Sequence, residues 1–443
     1  MTGFLPSTRE ERQKMLADLG FASAEELYAD VPDSVLLKTA PDLPPAKAEL
    51  AAAEFMRELA EKNLCFSTIL RGAGAYRHYI PAAVPAITAK EEFLTAYTPY
   101  QAEISQGVLQ SIFEFQTMIC ELTGMDAANA SHYDGAVAAA EAVAMLKDRK
   151  RTKAVVAATV HPDVLATIRT YCFGNGMEIL LAPEKEGRTD TEALTRFLDG
   201  ETACLYLQQP NFYGCFEEAE EIAAAVHAAG AKLILGVNPI ALGLMKSPGE
   251  WGADVAVGEG QPLGMPLSWG GPYLGFMAVK APLLRKLPGR IVGQTADGRG
   301  RRAYVLTLQA REQHIRREKA GSNVCSNQAL CALKASVYLS LMGPAGLAET
   351  AEQCLSKAHW FAGQLCRLPG VRLRYPGEYF HEFITELPCP PEKILAALEK
   401  EKILGGLPWQ GGILWCVTEV CGRSQLEKAL TVIREVLEDG TDL

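Results

Sequence analysis

The chain has 443 residues, of which 48% are hydrophobic, 22% charged and 8% aromatic, close to the averages of globular domains. At about 150 residues per domain this is room for two or three domains with sizeable cores, and it excludes wholesale disorder, a collagen-like repeat and a coiled coil. With 43 basic against 53 acidic residues the net charge is −10, which supplies no electrostatic footprint for a nucleic-acid backbone.

The twelve cysteines include no C-x-x-C pair and follow no secretory leader, so they read as reduced thiols, mostly in the core of a cytoplasmic protein. No window offers eighteen apolar residues without a charge, and no membrane span is expected. Residues 1–63 read as a helical arm. Ser23-Ala-Glu-Glu26 has the form of a capping box, and Ala46 to Asn63 carries strong helix formers with apolar positions at helical spacing. Leu64 to Gln101 reads as long loops with aromatic and polar tips, punctuated by Gly72, Gly74, Pro81, Pro85 and Pro99. Ser105 to Thr123 predicts a buried amphipathic helix that stops at Gly124.

From about residue 130 to 280 short apolar runs alternate with helical patterns, the signature of parallel strands joined by crossover helices. Strands are expected at 153–159, 178–182, 203–207, 232–237, 254–257 and 273–279, with helices at 134–150, 164–173, 191–198 and 217–229. Residues 289–303 read as a basic, glycine-rich loop, helices recur to about Leu368, and Val371 to Leu443 reads strand, strand, helix, strand, helix. The expected architecture is a helical arm over 1–63, a three-layer α/β/α large domain with a mostly parallel sheet over 64–325, and linking helices with a small α+β domain over 326–443.

Several common site signatures are absent: no G-x-x-x-x-G-K-[ST] phosphate loop, no H-E-x-x-H, no G-x-S-x-G and no kinase set. No metal site is expected. Gly72-Ala-Gly74 and Gly258-Glu-Gly260 lack the third glycine of a dinucleotide fingerprint and read as tight turns. His381-Glu382 reads as a strand-face pair, the helices 136–144 and 329–342 as core packing, and Cys325 and Cys331 as buried thiols.

The informative constellation is an ordered series. Ser131-His132-Tyr133-Asp134-Gly135-Ala136 precedes an alanine-rich helix, whose N-terminus can hold a phosphate, although Ser or Asp there also serves as a plain cap. Thr159-Val160-His161-Pro162, Gln208-Gln209-Pro210-Asn211 and Val237-Asn238-Pro239 each close a strand, at the carboxyl ends where open α/β sheets bind ligands.

This layout resembles the fold-type I pyridoxal phosphate enzymes, the aminotransferase-like transferases. Four segments are similar to the glycine decarboxylase P-protein family: Arg71-Gly-Ala-Gly-Ala-Tyr-Arg-His-Tyr-Ile-Pro81, Tyr97-Thr-Pro-Tyr-Gln101, Gly258-Glu-Gly-Gln-Pro-Leu-Gly264 and Arg311-Glu-Gln-His-Ile-Arg-Arg-Glu-Lys319. The resemblance spans nearly the whole chain and is specific to the first subunit, the α chain of the two-chain form. In lysine-dependent members an Asp at one strand end pairs with the pyridine nitrogen, and a Lys after the next strand forms the Schiff base. Here those places fall on Asn238 and near Gln261, and no lysine occurs between Lys246 and Lys280. An amide cannot keep the ring nitrogen protonated as a carboxylate does, and glutamine cannot form an imine.

No catalytic residue is therefore assigned to this chain, and Ser131, His161 and Asn238 read as a vestigial cofactor pocket. The resemblance implies that pyridoxal phosphate and its lysine belong to a second subunit in an α2β2 heterotetramer. The pair would decarboxylate glycine and pass the aminomethyl group to the lipoyl arm of the H-protein. Tyr76, His78, Tyr97, Thr98, Tyr100 and Gln101 are the candidates for a shared active site, because polar and aromatic loop tips suit one. Ala320-Gly321-Ser322-Asn323 resembles the loop that touches a neighbour's cofactor phosphate, with Gly321 where the family usually has Thr, leaving Ser322, Asn323 or backbone N–H groups. Arg301, Arg302, Arg316 and Arg317 are candidates for a substrate carboxylate or an acidic carrier surface. Two other readings stay open: a self-sufficient pyridoxal phosphate lyase or aminotransferase using Lys246 or Lys280, and a purely structural or regulatory partner subunit.

Overall fold

Local signals build the helices of the first unit, which ends at Leu64; the computed structural model describes residues 7–324 and 327–439 of the chain. Thr8 caps the helix Arg9–Asp18 reciprocally: its hydroxyl accepts from Glu11 N at 3.2 Å, and Glu11 Oε2 accepts from Thr8 N at 2.7 Å. The box expected at Ser23 does not form. Glu26 accepts from Ala22 N instead, and Ala24–Tyr28 is a short 3-10 helix. The longer helix Glu49–Glu61 keeps Leu50, Phe55, Met56 and Leu59 exposed.

The second unit, Cys65–Leu443, contains a seven-stranded sheet. Its strands are β1 (Ala127–Ala128), β2 (Lys153–Ala157), β3 (Glu178–Ala182), β4 (Thr202–Gln209), β5 (Lys232–Val237), β6 (Val255–Glu259) and β7 (Gly275–Val279). They lie in the order β1-β7-β6-β5-β4-β2-β3. The central strands are apolar and buried almost without alternation, as a sheet covered on both faces requires. Neighbours from β3 through β6 pair in parallel, while β7 runs antiparallel to both β6 and β1. The parallel arrangement expected for 273–279 is thus corrected. Between β6 and β7 lies only the 3-10 turn Ser268–Gly270 and no crossover helix, so the chain doubles back. The basic stretch 289–303 is likewise not a simple loop: Val292–Ala296 pairs with Arg302–Leu306, and Asp297 closes the turn by accepting from Arg299 N and Arg301 N.

The large-domain helices are α1 (Gln106–Thr123), α2 (Gly135–Leu146), α3 (Pro162–Asn175) and α4 (Ala219–Ala228). α1 and α3 end on left-handed glycines, Gly124 at φ 66° and Gly176 at φ 62°. Helix α5 (Ala329–Leu365) is broken at Gly343, φ 60°, followed by Pro344. It is long and apolar enough to pass for a membrane span by length and composition. Its apolar residues are used otherwise: Ala332, Ala335 and Tyr338 enter the large core, and Ala358, Phe361 and Leu365 enter the second. That second core is closed by β8 (Arg372–Leu373), β9 (Glu382–Glu386), β10 (Leu407–Trp409) and β11 (Gly412–Cys416), ordered β8-β9-β11-β10, with α6 (Pro391–Lys400) and α7 (Arg423–Asp439). Trp415 is fully buried there, donating through Nε1 to Thr385 Oγ1 at 2.8 Å. The boundary drawn between 325 and 326, and Cys325 itself, lie outside the described residues.

Candidate functional site

The carboxyl ends of β2, β4, β5 and β6 open onto a cavity of about 520 Å³. His161, Gln208, Asn238 and Glu259 reach it from the strand ends, Ala73 and Tyr76 from the segment after Leu64, and His381 and Glu382 from the small domain. This is the ligand position of an open α/β sheet, and the side chains there are engaged with the protein itself.

Gln261 is fully buried, and both ends of its amide are used. Oε1 accepts from Tyr76 N at 2.8 Å, and Nε2 donates to Tyr76 O at 2.9 Å and to Met265 O at 2.8 Å. Asn238 is a turn residue, its Oδ1 accepting from Ile240 N at 2.9 Å and its Nδ2 3.3 Å from His381 Nε2. Burial and the neighbouring His78 hold His381 well below the usual histidine range. His161 caps α3: Nδ1 accepts from Asp163 N at 3.1 Å, which places the proton on Nε2, donating to Ala73 O at 2.8 Å. Glu382 accepts from Ala73 N at 2.6 Å and from the Tyr76 hydroxyl at 2.8 Å, and burial pushes its carboxyl up to about 7 against those bonds.

At the start of α2 the cap is Asp134, whose Oδ1 accepts from Val137 N at 2.7 Å. The other oxygen at this helix end belongs to Glu259, whose Oε2 accepts from Gly135 N at 2.9 Å. Its Oε1 accepts from Gln261 N at 2.8 Å and Leu274 N at 2.9 Å. Burial pushes the Glu259 carboxyl up, and the three backbone donors oppose it.

Of the three residues read as a vestigial pocket, His161 and Asn238 line the cavity. Ser131 is buried outside it, its hydroxyl accepting from Gln328 N at 2.9 Å just before α5. Of the shared-loop candidates only Tyr76 lines the cavity. His78 is buried rather than at a loop tip, with Nδ1 2.7 Å from Glu419 Oε2. Tyr97, Thr98 and Gln101 are exposed, Tyr97 at 86%. Tyr100 donates to Asn327 Oδ1 at 2.6 Å under the Arg290 guanidinium.

Ser322 lines a second cavity of about 360 Å³ beside residues 311–324, together with Lys147, Arg285, Lys286, Arg316 and Lys319. Asn323 is exposed next to it. Glu141, on α2, faces this cavity, and burial pushes its carboxyl up to about 7 against a bond from Ser322. Arg301 is occupied by Asp297, and Arg302 lies over the Tyr304 ring. Sequence reading missed one group altogether. His78, Cys354 and Glu419 bring three ligand-type atoms within 4.8 Å of one another, the only such set among the described residues. No spacing signal marks residues so far apart in the chain.

The fold implies pyridoxal phosphate, and the first cavity does not fit it. Near the place expected for the lysine lies Gln261, buried and bonded at both ends of its amide, the residue expected beside the ring nitrogen is Asn238, and Glu259 already occupies the Gly135 N–H at the start of α2. Neither alternative lysine reaches the cavity: Lys246 is paired with Glu220, and Lys280 donates to Gly124 O, at the far end of β7.

The chain matches the family model for the glycine cleavage system P-protein over residues 2–433. It is 48% identical to the probable glycine dehydrogenase (decarboxylating) subunit 1 of Desulfitobacterium hafniense, over 98% of this chain and 99% of that one. Against the protein of the same description from Syntrophomonas wolfei it is 50% identical, over 97% and 98%. A crystal structure of glycine decarboxylase (P-protein) of the glycine cleavage system, in inhibitor-bound form, matches with a TM-score of 0.91 at 41% identity, covering 98% of this chain and 100% of that one. A sphingosine-1-phosphate lyase of Burkholderia pseudomallei, 13% identical with a TM-score of 0.64, shares the fold alone over 93% of this chain and 94% of that one. The architecture is that of fold-type I pyridoxal phosphate enzymes. With identity near one half from end to end, the chain belongs to the glycine cleavage system P-protein family, a pyridoxal phosphate-dependent family.

Proposed function

We propose that this chain is one of two unlike subunits that together decarboxylate glycine, with pyridoxal phosphate and its lysine held by the other. The assembly, an α2β2 heterotetramer in the cytoplasm, passes the aminomethyl group to the lipoyl arm of the H-protein. The name "subunit 1" carried by the relatives supports a second subunit. The division of labour rests on Gln261, which stands in the lysine place and spends its whole amide on the Tyr76 backbone and Met265.

This chain's residues then act at a shared surface. Tyr97, Thr98 and Gln101 present exposed side chains from a loop braced by Tyr100, and Ser322 and Asn323 sit at a basic cavity suited to the phosphate of the partner's cofactor. Their work is to orient the glycine carboxylate and keep water out.

The test is to incubate the isolated chain with pyridoxal phosphate, reduce with borohydride and map peptides by mass. No stoichiometric lysine adduct is expected on this chain, and one on the second subunit treated the same way. A single adduct on Lys246, Lys280 or any other lysine of this chain overturns the reading. In the assembled enzyme, Tyr97→Ala or Gln101→Ala is expected to lower kcat/KM for glycine tenfold or more, and unchanged turnover would reduce the chain to a structural partner.

A further inference from the structure

The N-terminus of α2 lies at the cavity, which Asp134, Gly135 and Ala136 line, and helix N-termini with neighbouring turn amides bind anions. Here the anion is part of the chain. The Glu259 carboxylate gathers donors from three separate segments: Gly135 N at the start of α2, Gln261 N just beyond β6, and Leu274 N just before β7. The fit is close. A Cβ on residue 135 would lie 2.9 Å from Glu259 N and 3.0 Å from Glu259 Cβ, so the approach needs glycine there. The rest of the wall adds Asp134, Asp163 and Glu382, and no Lys or Arg among the described residues lines this cavity.

From this arrangement we infer that Glu259 is a built-in anion that keeps phosphate-bearing ligands out of this chain's own cavity, and is thereby the residue that confines the cofactor to the other subunit. The inference rests on the reading that the cofactor belongs to that subunit. The lost lysine alone does not account for the exclusion, because an imine is one attachment and the phosphate is another. A chain lacking only the lysine would keep an open anion cradle for the phosphate. With Glu259 in place an incoming phosphate must displace a tethered carboxylate that already holds three backbone bonds, and then lie beside it.

The experiment uses the full chain with inorganic phosphate as the probe, by calorimetry and by phosphorus NMR, comparing wild type with Glu259→Ala and Glu259→Gln. Far-UV circular dichroism checks folding, and the isosteric Gln variant covers the case in which Ala does not fold. To silence the basic cavity beside residues 311–324, all three proteins carry Arg285→Gln and Arg316→Gln; with Glu259 intact no saturable binding is expected, and Glu259→Ala is expected to bind at least tenfold more tightly. Glu259→Gln, with the charge gone and an amide oxygen left, falls between. A merely structural role for Glu259 predicts folded variants with unchanged phosphate affinity, which overturns the inference, as does tight phosphate binding in that background with Glu259 intact. Pyridoxal phosphate uptake by the second subunit alone is measured alongside. Its absence overturns the functional reading and leaves the phosphate comparison standing on its own.

Discussion

The two cavities of the second unit sit on one fold and carry opposite charge. The strand-end cavity is walled by Asp134, Asp163, Glu259 and Glu382, and the cavity beside residues 311–324 by Lys147, Arg285, Lys286, Arg311, Arg316 and Lys319. In the first, polar atoms are satisfied from within: Glu259 by three backbone N–H groups, Gln261 by Tyr76, Asn238 by its own turn. In the second, the acidic groups do little to offset the cations. Glu312 is already paired with the half-buried Arg290, and burial raises Glu141 to about 7 just as it raises Glu382 in the first cavity. Attraction for anions in this fold is therefore set by a handful of side chains at strand ends and loops, and it can leave one place and gather at another while the sheet stays the same.

That contrast is open to attack by substitution. The largest effect is expected at Glu217, 5% exposed behind the strand-end cavity, which accepts from Thr159 Oγ1 at 2.7 Å, Asn211 Nδ2 at 2.8 Å and Thr189 N at 2.8 Å. Glu217→Ala strands all three donors, and urea unfolding should show a loss of about 3 kcal/mol or more. A loss below about 1 kcal/mol would mean that the wall is not the satisfied framework described.

Next comes the pH dependence of Glu382. Its folded-state carboxyl is raised to about 7 from an ordinary 4.5, so the fold holds a proton that the unfolded chain has released. Its ionised, buried form is a penalty fully present above about 7 and relieved as pH falls from there toward 4.5. Stability should rise with acidification across that window, and Glu382→Gln should remove that part of the slope, on the order of 3 kcal/mol in the difference between wild type and variant. Parallel slopes for the two proteins would place the carboxyl back in its ordinary range.

A smaller effect is expected from Gly135→Ala, whose Cβ meets Glu259 at 2.9 and 3.0 Å. Overpacking against a strand end should cost about 1–2 kcal/mol, read as a lowered Tm, and an unchanged Tm would show that the cradle is loose. The smallest belongs to the other cavity. Arg285→Gln with Arg316→Gln removes two exposed charges and should leave unfolding free energy within about 0.5 kcal/mol, while weakening the salt dependence of assembly with the second subunit. A stability loss matching that of Gly135→Ala would break the distinction between the two walls.

Much of the large domain was legible. The apolar runs expected at 153–159, 178–182, 203–207 and 232–237 fall on observed strands, the first ending two residues early at Ala157, and Gly124 ends its helix in the left-handed region. The antiparallel turn of Gly275–Val279 was not, because strand direction depends on what connects two strands, and an apolar run looks the same either way. The hairpin at Val292–Ala296 and Arg302–Leu306 was hidden by its glycines and charges. At the site, the departures at Asn238 and Gln261 could be read directly, since they are matters of residue type. That Ser131 turns away to Gln328 and His78 is buried on Glu419 could not, because each choice of partner is made across a large separation in sequence.

The sequence by itself determined that this is an α/β chain with P-protein motifs and no lysine between Lys246 and Lys280. Period, turn residues and residue chemistry are local properties, and they survive without coordinates. Only the tertiary structure decided that Glu259 reaches Gly135 across 124 positions, that Tyr76 is clamped by Gln261 across 185, and that two cavities of opposite sign result. Those contacts exist because parallel strands gather their carboxyl ends at one edge of the sheet, so residues far apart in the chain share one wall. Their hydrogen bonds are settled by packing, after the local choices have been made.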